Sequence, residues 1–466
     1  MDKKIKDLMY AFSANFLNFL MGFVTGFIIP KFLGIDDYAY LKLFTFYITY
    51  VGVAHLGFLD GIYIKYGAYD YEDLPKERFR GYVRFLMVFQ VIEAVLLSIV
   101  TFVVIGNENR IIIMLFTIFN MIILNLTNLW TFIHQFTKRF KLFSINTILT
   151  KLLYVVGSLF LIINGMLGYF EYVFLQTIIN IIILIIYIYY NKELVFGKAD
   201  SLKNTFKDAK SLIGIGFFVM IGNFMTNIIL GIDRLFVDAF FTIKDFAIYS
   251  FAYSLISLFY ILLNSVTMVI YPYLKRTNKD IYKQTYETIR VSITIIMSIT
   301  LCGFFVIKFI VANFLPQYTE SFNIFIFLVP TVIYSGQISI LIANFYKVMN
   351  KTKEYTINNI VALIIAFLTN IIACFIFKNI TAIAIATLIS FVIWLIYSDL
   401  YFVKIIKVNV IRANVLDLAV LIIFLFSAYF FGYFSGLIIY IVLLSLLLGL
   451  NNRKDIKNLI SLIKKR

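Results

Sequence analysis

The residues of this chain that could do chemistry are few, and most of them stand inside apolar runs. Asp233 and Arg234 are adjacent within one such run, and Lys42, Lys151, His55, Asp60 and Glu93 fall within others. An ionised side chain is expensive in hydrocarbon, so each must face protein or water and have a reason to exist. A guanidinium grips phosphate oxygens in a planar fork. Arg234, with Lys42 on the same expected side of the membrane, would therefore suit an anion in a cavity. The plainer reading of Asp233 and Arg234 is an ion pair that holds a helix end. Lys42 and Lys151 either line the same cavity or snorkel to the nearer surface. Asp233, His55, Asp60 and Glu93 are candidates for ion or proton coupling. His55 near mid-span could meet a proton or a polar ligand, or simply pack. Asp60, five residues on, would sit about 140° away around a continuous helix, so the two are not expected to pair; Asp60 would cap or pair with Lys65. Glu93 either carries a proton or cation or pairs within the amino-terminal half. His134 is expected at the interface, and Asp417, beside Arg412, as a solvated end charge.

The absences matter as much. Cys302 and Cys374 lie in apolar segments without metal-ligand spacing, so no metal is expected. There is no phosphate-binding Walker loop and no loop large enough for a soluble catalytic domain. The chain is expected not to be an enzyme and to need no cofactor. Its work would draw on H+, Na+ or the membrane potential.

The elements that must position these groups follow from composition. Hydrophobic residues make up 62% of the chain and charged residues 14%, with a mean hydropathy of +0.93. Soluble domains carry about 25% charged residues, so an integral membrane protein is expected. Fourteen runs are long enough, or nearly so, to span a bilayer: 8–29, 38–63, 81–105, 111–136, 144–164, 171–190, 212–238, 246–271, 289–311, 322–346, 355–377, 381–402, 414–431 and 435–450. The last two are short and close together, which makes twelve the fallback. The runs are continuous rather than alternating, which argues against a barrel. Pro30 and Pro272 are expected to end helices, and Pro330 to kink one.

With the amino end inside, 33 of the 41 Lys and Arg fall on the inner side, 6 on the outer side and 2 within spans. That bias makes both termini cytoplasmic and accounts for the net charge of +16 without nucleic acid. The chain also repeats itself. Asn15-Phe16 recurs as Asn223-Phe224, and Ile35-Asp36-Asp37-Tyr38-Ala39 as Ile243-Lys244-Asp245-Phe246-Ala247, at one common offset. Arg139, Lys141 and Ser144-Ile145-Asn146 likewise match Lys351, Lys353 and Thr356-Ile357-Asn358. The expected organisation is an amino-terminal lobe over 1–190, a basic linker over 191–211, a second lobe over 212–402, and a helix pair with a basic tail over 403–466. Six spans per half make these parallel repeats, of the kind that hold substrate between them and rock.

Several motifs in order carry a resemblance. They are Phe32-Leu33-Gly34-Ile35-Asp36-Asp37-Tyr38-Ala39, Gly57 to Tyr66, Ile232-Asp233-Arg234 followed by Ile243 to Tyr249, Leu315-Pro316-Gln317-Tyr318 with Ser321, and Asn350-Lys351-Thr352-Lys353 with Asn370. Together, over roughly residues 5–450, the chain resembles the Wzx-type flippases of polysaccharide repeat units in the multidrug/oligosaccharidyl-lipid/polysaccharide (MOP) superfamily. It departs from them at Thr242, where a Gly is usual. The resemblance implies an all-α bundle of two six-helix pseudo-symmetric lobes plus a carboxy-terminal pair, in the cytoplasmic membrane. It implies transfer of a polyprenyl-phosphate- or pyrophosphate-linked glycan from the inner to the outer leaflet, with membrane lipids, glycosyltransferases and a polysaccharide polymerase as associates. The cationic groups would take the phosphates, and Tyr249, Tyr253, Asn15 and Asn223 the sugars. The alternatives are a multidrug or cation exporter of the same fold, a lipid II flippase, and, from another class, a membrane polymerase or glycosyltransferase.

Overall fold

The computed structural model describes residues 21–451. Every regular element among them is helical. In order they are α1 (Met21–Phe32), α2 (Ile35–Tyr47), α3 (Phe58–Tyr66), α4 (Lys76–Val104), α5 (Glu108–Phe136), α6 (Phe140–Ile163), α7 (Tyr169–Tyr190) and α8 (Leu202–Ile229). Then come α9 (Ile232–Phe240), α10 (Ile243–Arg276), α11 (Tyr282–Thr300), α12 (Cys302–Phe314), α13 (Phe322–Leu328), α14 (Thr331–Gly336), α15 (Ala343–Val348), α16 (Thr352–Ile372), α17 (Ile380–Ile406), α18 (Ile411–Phe430) and α19 (Tyr433–Asn451). The reason for helices is the continuous apolar run, in which every backbone group must be bonded within its own segment. Much of the apolar surface remains uncovered. Only 17% of the apolar window of α4 is buried, and Val88, Ile92, Val95, Leu96, Ile99 and Val103 all point outward. Such a face belongs against lipid, and the chain is a multi-pass membrane protein.

Among the described residues nine helices are long and apolar enough to cross, or up to eleven if each of two bent pairs counts as one. Most of the first expected run, 8–29, lies outside the described residues, and the second and tenth runs are broken. The second run bends by 60° between α2 and α3. A 3-10 turn over Val51–His55 leads into two left-handed residues, Leu56 at φ 49° and Gly57 at φ 83°. The break frees carbonyls, and neighbouring amides take them up: Asn125 on α5 donates to Val51 O (3.0 Å) and Gln90 on α4 to Ala54 O (3.1 Å). The expected seventh run parts at Leu230-Gly231 into α8 and α9. The tenth bends by 47° at Pro330, as expected of a residue with no N–H to give. Pro30 and Pro272 do not end their helices. A π-helical stretch over Val24–Ile28 leads into the turn that holds Pro30, and α10 runs past Pro272 to Arg276.

The chain divides into two compact units, parting between Ile228 and Ile229, with Thr25–Phe27 grouped with the second. In the first unit α3 and α8 touch backbone to backbone. A Cβ on Gly61 would lie 2.1 Å from Leu212 O, and one on Gly216 would lie 2.0 Å from Gly57 O. Small residues are what allow such an approach. The stretch after α7 is tied down as well. Lys76 pairs with the Glu193 carboxylate, Arg80 donates to the carbonyls of Glu193 (2.9 Å) and Lys198 (3.0 Å), and Arg84 donates to that of Gly197 (2.9 Å). In the second unit α18 and α19 form a hairpin docked on α11 and α12. Tyr440 donates to Ser298 O (2.7 Å), and Lys308 donates to Ala428 O (3.1 Å) near the carboxy end of α18.

Candidate functional site

The polar centre of the second unit is built where the seventh run breaks. Asp233 falls in the first turn of α9, where a carboxylate suits the exposed N–H groups. It is 2% exposed. Its Oδ1 accepts from the Arg234 N–H (2.8 Å), and its Oδ2 accepts from the hydroxyls of Tyr249 on α10 (2.7 Å) and Thr387 on α17 (3.4 Å). The Arg234 side chain lies over an aromatic ring. Its guanidinium carbon lies 3.7 Å from the centre of the Tyr253 ring, a cation–π stack that keeps the charge half-buried. The Tyr253 hydroxyl donates to Leu230 O (3.1 Å), at the break. One ring thus carries the cation and satisfies the broken backbone. The start of α10, which sets Tyr249 and Tyr253 in register, is a capping box: Thr242 accepts from the Asp245 N–H, and the Asp245 carboxylate accepts from Thr242.

The first unit has its own polar centre, at the bend of the second run. His55 and Asp60 do pair there, with Nε2 3.9 Å from Oδ2, contrary to the reading from a continuous helix. The two left-handed residues between them break the helix and bend the chain by 60°, so the angular spacing of a continuous helix no longer applies. The His55 Nδ1 accepts from the Gly57 N–H (3.1 Å), which leaves Nε2 to carry the ring proton toward Asp60. Glu93 on α4 accepts from Gln90 Nε2 (2.6 Å), and Gln90 Oε1 accepts from Asn125 (2.7 Å). The amides that cap the broken helix thus also hold the Glu93 carboxyl of the adjoining helix.

Of the other candidates, Lys42 lies half-buried on α2 with its ammonium 5.1 Å from the Tyr38 ring centre, and Lys151 is half-buried on α6. Asn223 is exposed on α8, in the first unit. Asn15 lies outside the described residues. Within the second unit the structure brings together Asp233, Arg234, Tyr249 and Tyr253. The Tyr249 side chain is fully buried with its hydroxyl on Asp233, so in this conformation it offers no free edge to a sugar. Thr387, Gln90 and Asn125 were not foreseen, since polar uncharged residues in apolar runs carry no distinguishing mark. Asp417 is not a solvated end charge. It is 3% exposed and pairs with Arg290 (2.8 Å), and Asp399 joins the same guanidinium (3.3 Å). An Asp within an apolar run is the signal that could have found Asp399. His134 is fully buried rather than interfacial, bonded to Asn191 (3.1 Å).

This architecture has solved counterparts. A structure titled lipid II flippase MurJ, inward closed conformation, aligns over 95% of this chain and 99% of its own with a TM-score of 0.67 at 14% identity. An inward-facing multidrug resistance MATE transporter of the MOP superfamily aligns over 86% of this chain and 95% of its own, TM-score 0.61, at 12% identity. A MATE structure in the straight conformation gives 0.54 over 86% and 94%, at 12% identity. Identities this low establish a shared fold alone. No curated protein matches the sequence. The similar structures are a flippase and transporters, not enzymes, in keeping with the expectation from the sequence. A family model described as polysaccharide biosynthesis protein matches residues 5–278, more than half of the chain, and the chain belongs to that family.

Proposed function

We propose that this protein is a flippase that carries a polyprenyl-phosphate- or pyrophosphate-linked oligosaccharide across the cytoplasmic membrane for a cell-surface polysaccharide. Both termini lie in the cytoplasm, and the two repeat halves alternate access. Family membership supports the biosynthetic setting, and the fold supports transport. The observation that carries the anionic substrate is the Arg234 guanidinium, stacked on Tyr253 beside a carboxylate that is already satisfied by Tyr249 and Thr387. Lys42 and Lys151 would add to the attraction for phosphate, and Asn15, Asn223 and Tyr253 would serve the sugars. Coupling to H+, Na+ or the membrane potential would run through His55, Asp60, Glu93 and Asp233.

The test is Arg234→Ala in cells that depend on this chain for surface glycan, and in proteoliposomes loaded with a lipid-linked oligosaccharide. Transport is expected to fall at least about tenfold, since a charge-assisted phosphate contact is worth roughly 1.5–3 kcal/mol. Membrane insertion and thermal midpoint should stay near wild type, and Arg234→Lys should recover part of the rate. Unchanged export by the Arg234→Ala protein would end the reading. Competition by lipid II but not by the glycan lipid would move the substrate to a peptidoglycan precursor.

A further inference from the structure

Apart from both centres above, the second unit holds charged side chains removed from solvent altogether. The side chain of Arg290 on α11 is 0% exposed, that of Asp399 on α17 1%, and that of Asp417 on α18 4%. One guanidinium faces two carboxyls, so with both ionised the cluster would hold an uncompensated negative charge. Buried charges persist when they are balanced.

The hydrogen bonds distinguish the two acids. Asp417 Oδ2 lies 2.8 Å from Arg290 Nη1, and its Oδ1 accepts from Gln337 Nε2 (3.0 Å) and the Thr294 hydroxyl (2.7 Å). Asp417 makes the closer ion pair with Arg290, 2.8 Å against 3.3 Å for Asp399, so Asp417 is assigned as the carboxylate. Gln337 is fully buried, and with its nitrogen turned to Asp417 its Oε1 has no hydrogen-bond partner. Asp399 differs. Its Oδ2 accepts from Arg290 Nε and Nη2 (3.3 Å each), but its Oδ1 stands 2.6 Å from the Tyr286 hydroxyl, which can give or take a hydrogen. Beside these, Arg290 Nη2 donates to Asn414 Oδ1 (2.7 Å), and Tyr334 on α14 adds a phenol. A cleft of about 280 Å³ borders the cluster, lined by Glu287, Thr288, Arg290, Asn409 and Arg412 among others.

We propose that this cluster is a proton-binding site: one proton sits on Asp399 Oδ1 against the Tyr286 oxygen, reaches it through the cleft, and leaves Arg290 and Asp417 as a balanced pair that fastens α18. The proton adds to one oxygen and no other bond changes. It stands apart from the substrate site and does not depend on the flippase reading.

The experiment uses the full-length protein in nanodiscs and two measurements. An unfolded Asp releases its proton above about pH 4, whereas the folded chain keeps it, so stability must fall as pH rises. Between about pH 5 and about pH 9 the wild-type thermal midpoint should fall steadily relative to that of Asp399→Asn, in which every other titrating group is the same. The amide copies the protonated acid, with nitrogen toward Tyr286 and oxygen toward Arg290. Asp417→Asn should be less stable than wild type at every pH, because it removes the counter-charge of Arg290. Infrared spectra at neutral pH should show a protonated carboxyl band in the wild type that is missing from Asp399→Asn and kept in Asp417→Asn. A band that survives Asp399→Asn, or an Asp399→Asn protein that is less stable throughout or does not accumulate, would overturn the proposal.

Discussion

Single residues decide how this chain holds charge in a poor solvent. Thr242 stands where related proteins are expected to have Gly, and the reason is now visible: its hydroxyl and Asp245 cap α10 reciprocally. In the first half Gly34 precedes the matching helix with no side chain, and Asp37 instead accepts from the Tyr169 N–H (2.9 Å). Thr242→Ala should cost about 1 kcal/mol of stability, and Thr242→Gly only a few tenths. Reversible unfolding in detergent would measure both. The repeat itself was legible in Asp37 and Asp245; the different use of the two acids was not, because the partner of Asp37 comes from a distant segment. Glu193 gives a pH dependence. The bond from Lys76 and its positive charge hold this carboxyl below the usual carboxylate range. A depressed value means that the stabilisation is present above the unfolded carboxyl's range and is lost as pH falls through the folded one. Wild type and Glu193→Gln should therefore differ in thermal midpoint at neutral pH and converge on acidification.

At the scale of elements, the apolar runs predicted where helices would lie but not where they would break. Pro330 announced its bend, since a missing N–H is written in the residue type. The bend at Leu56 and Gly57 was hidden, because a leucine rarely adopts a left-handed conformation and nothing local demands it here. Five-residue spacing then misled the reading of His55 and Asp60. The break before Asp233 was half legible: Gly231 and an acid in the next turn are a helix start, though they lie inside a hydrophobic run. The contact of α3 with α8 is the element most sensitive to change. A methyl group on Gly61 meets the Leu212 carbonyl, which cannot rotate away. Gly61→Ala should destabilise by roughly 1–3 kcal/mol or more, and Gly222→Ala, with open space around it, should be near neutral. Thermal midpoints of the two variants in one detergent would check the contrast.

For the whole molecule, composition alone established a helical membrane protein, and ordered motifs established its family. Arg234 and Asp233 were singled out by being charged inside an apolar run, where a charge needs a reason to exist. Arg290 escaped notice because it was counted among inner-side basic residues, and Asp417 because it stood next to Arg412. Position along the chain could not tell a buried pair from a solvated one.

The bent second span has a consequence for motion. To straighten, it would have to pull Val51 and Ala54 away from Asn125 and Gln90, and would strip one bond from each amide and leave the two carbonyls without these donors in hydrocarbon. Each bare polar group there costs several kcal/mol. Helices α2 to α5 must therefore travel as one stiff block through any transport cycle, with flexing confined to joints elsewhere. Spin labels on α2 and α4 should keep a constant separation under every condition that changes activity.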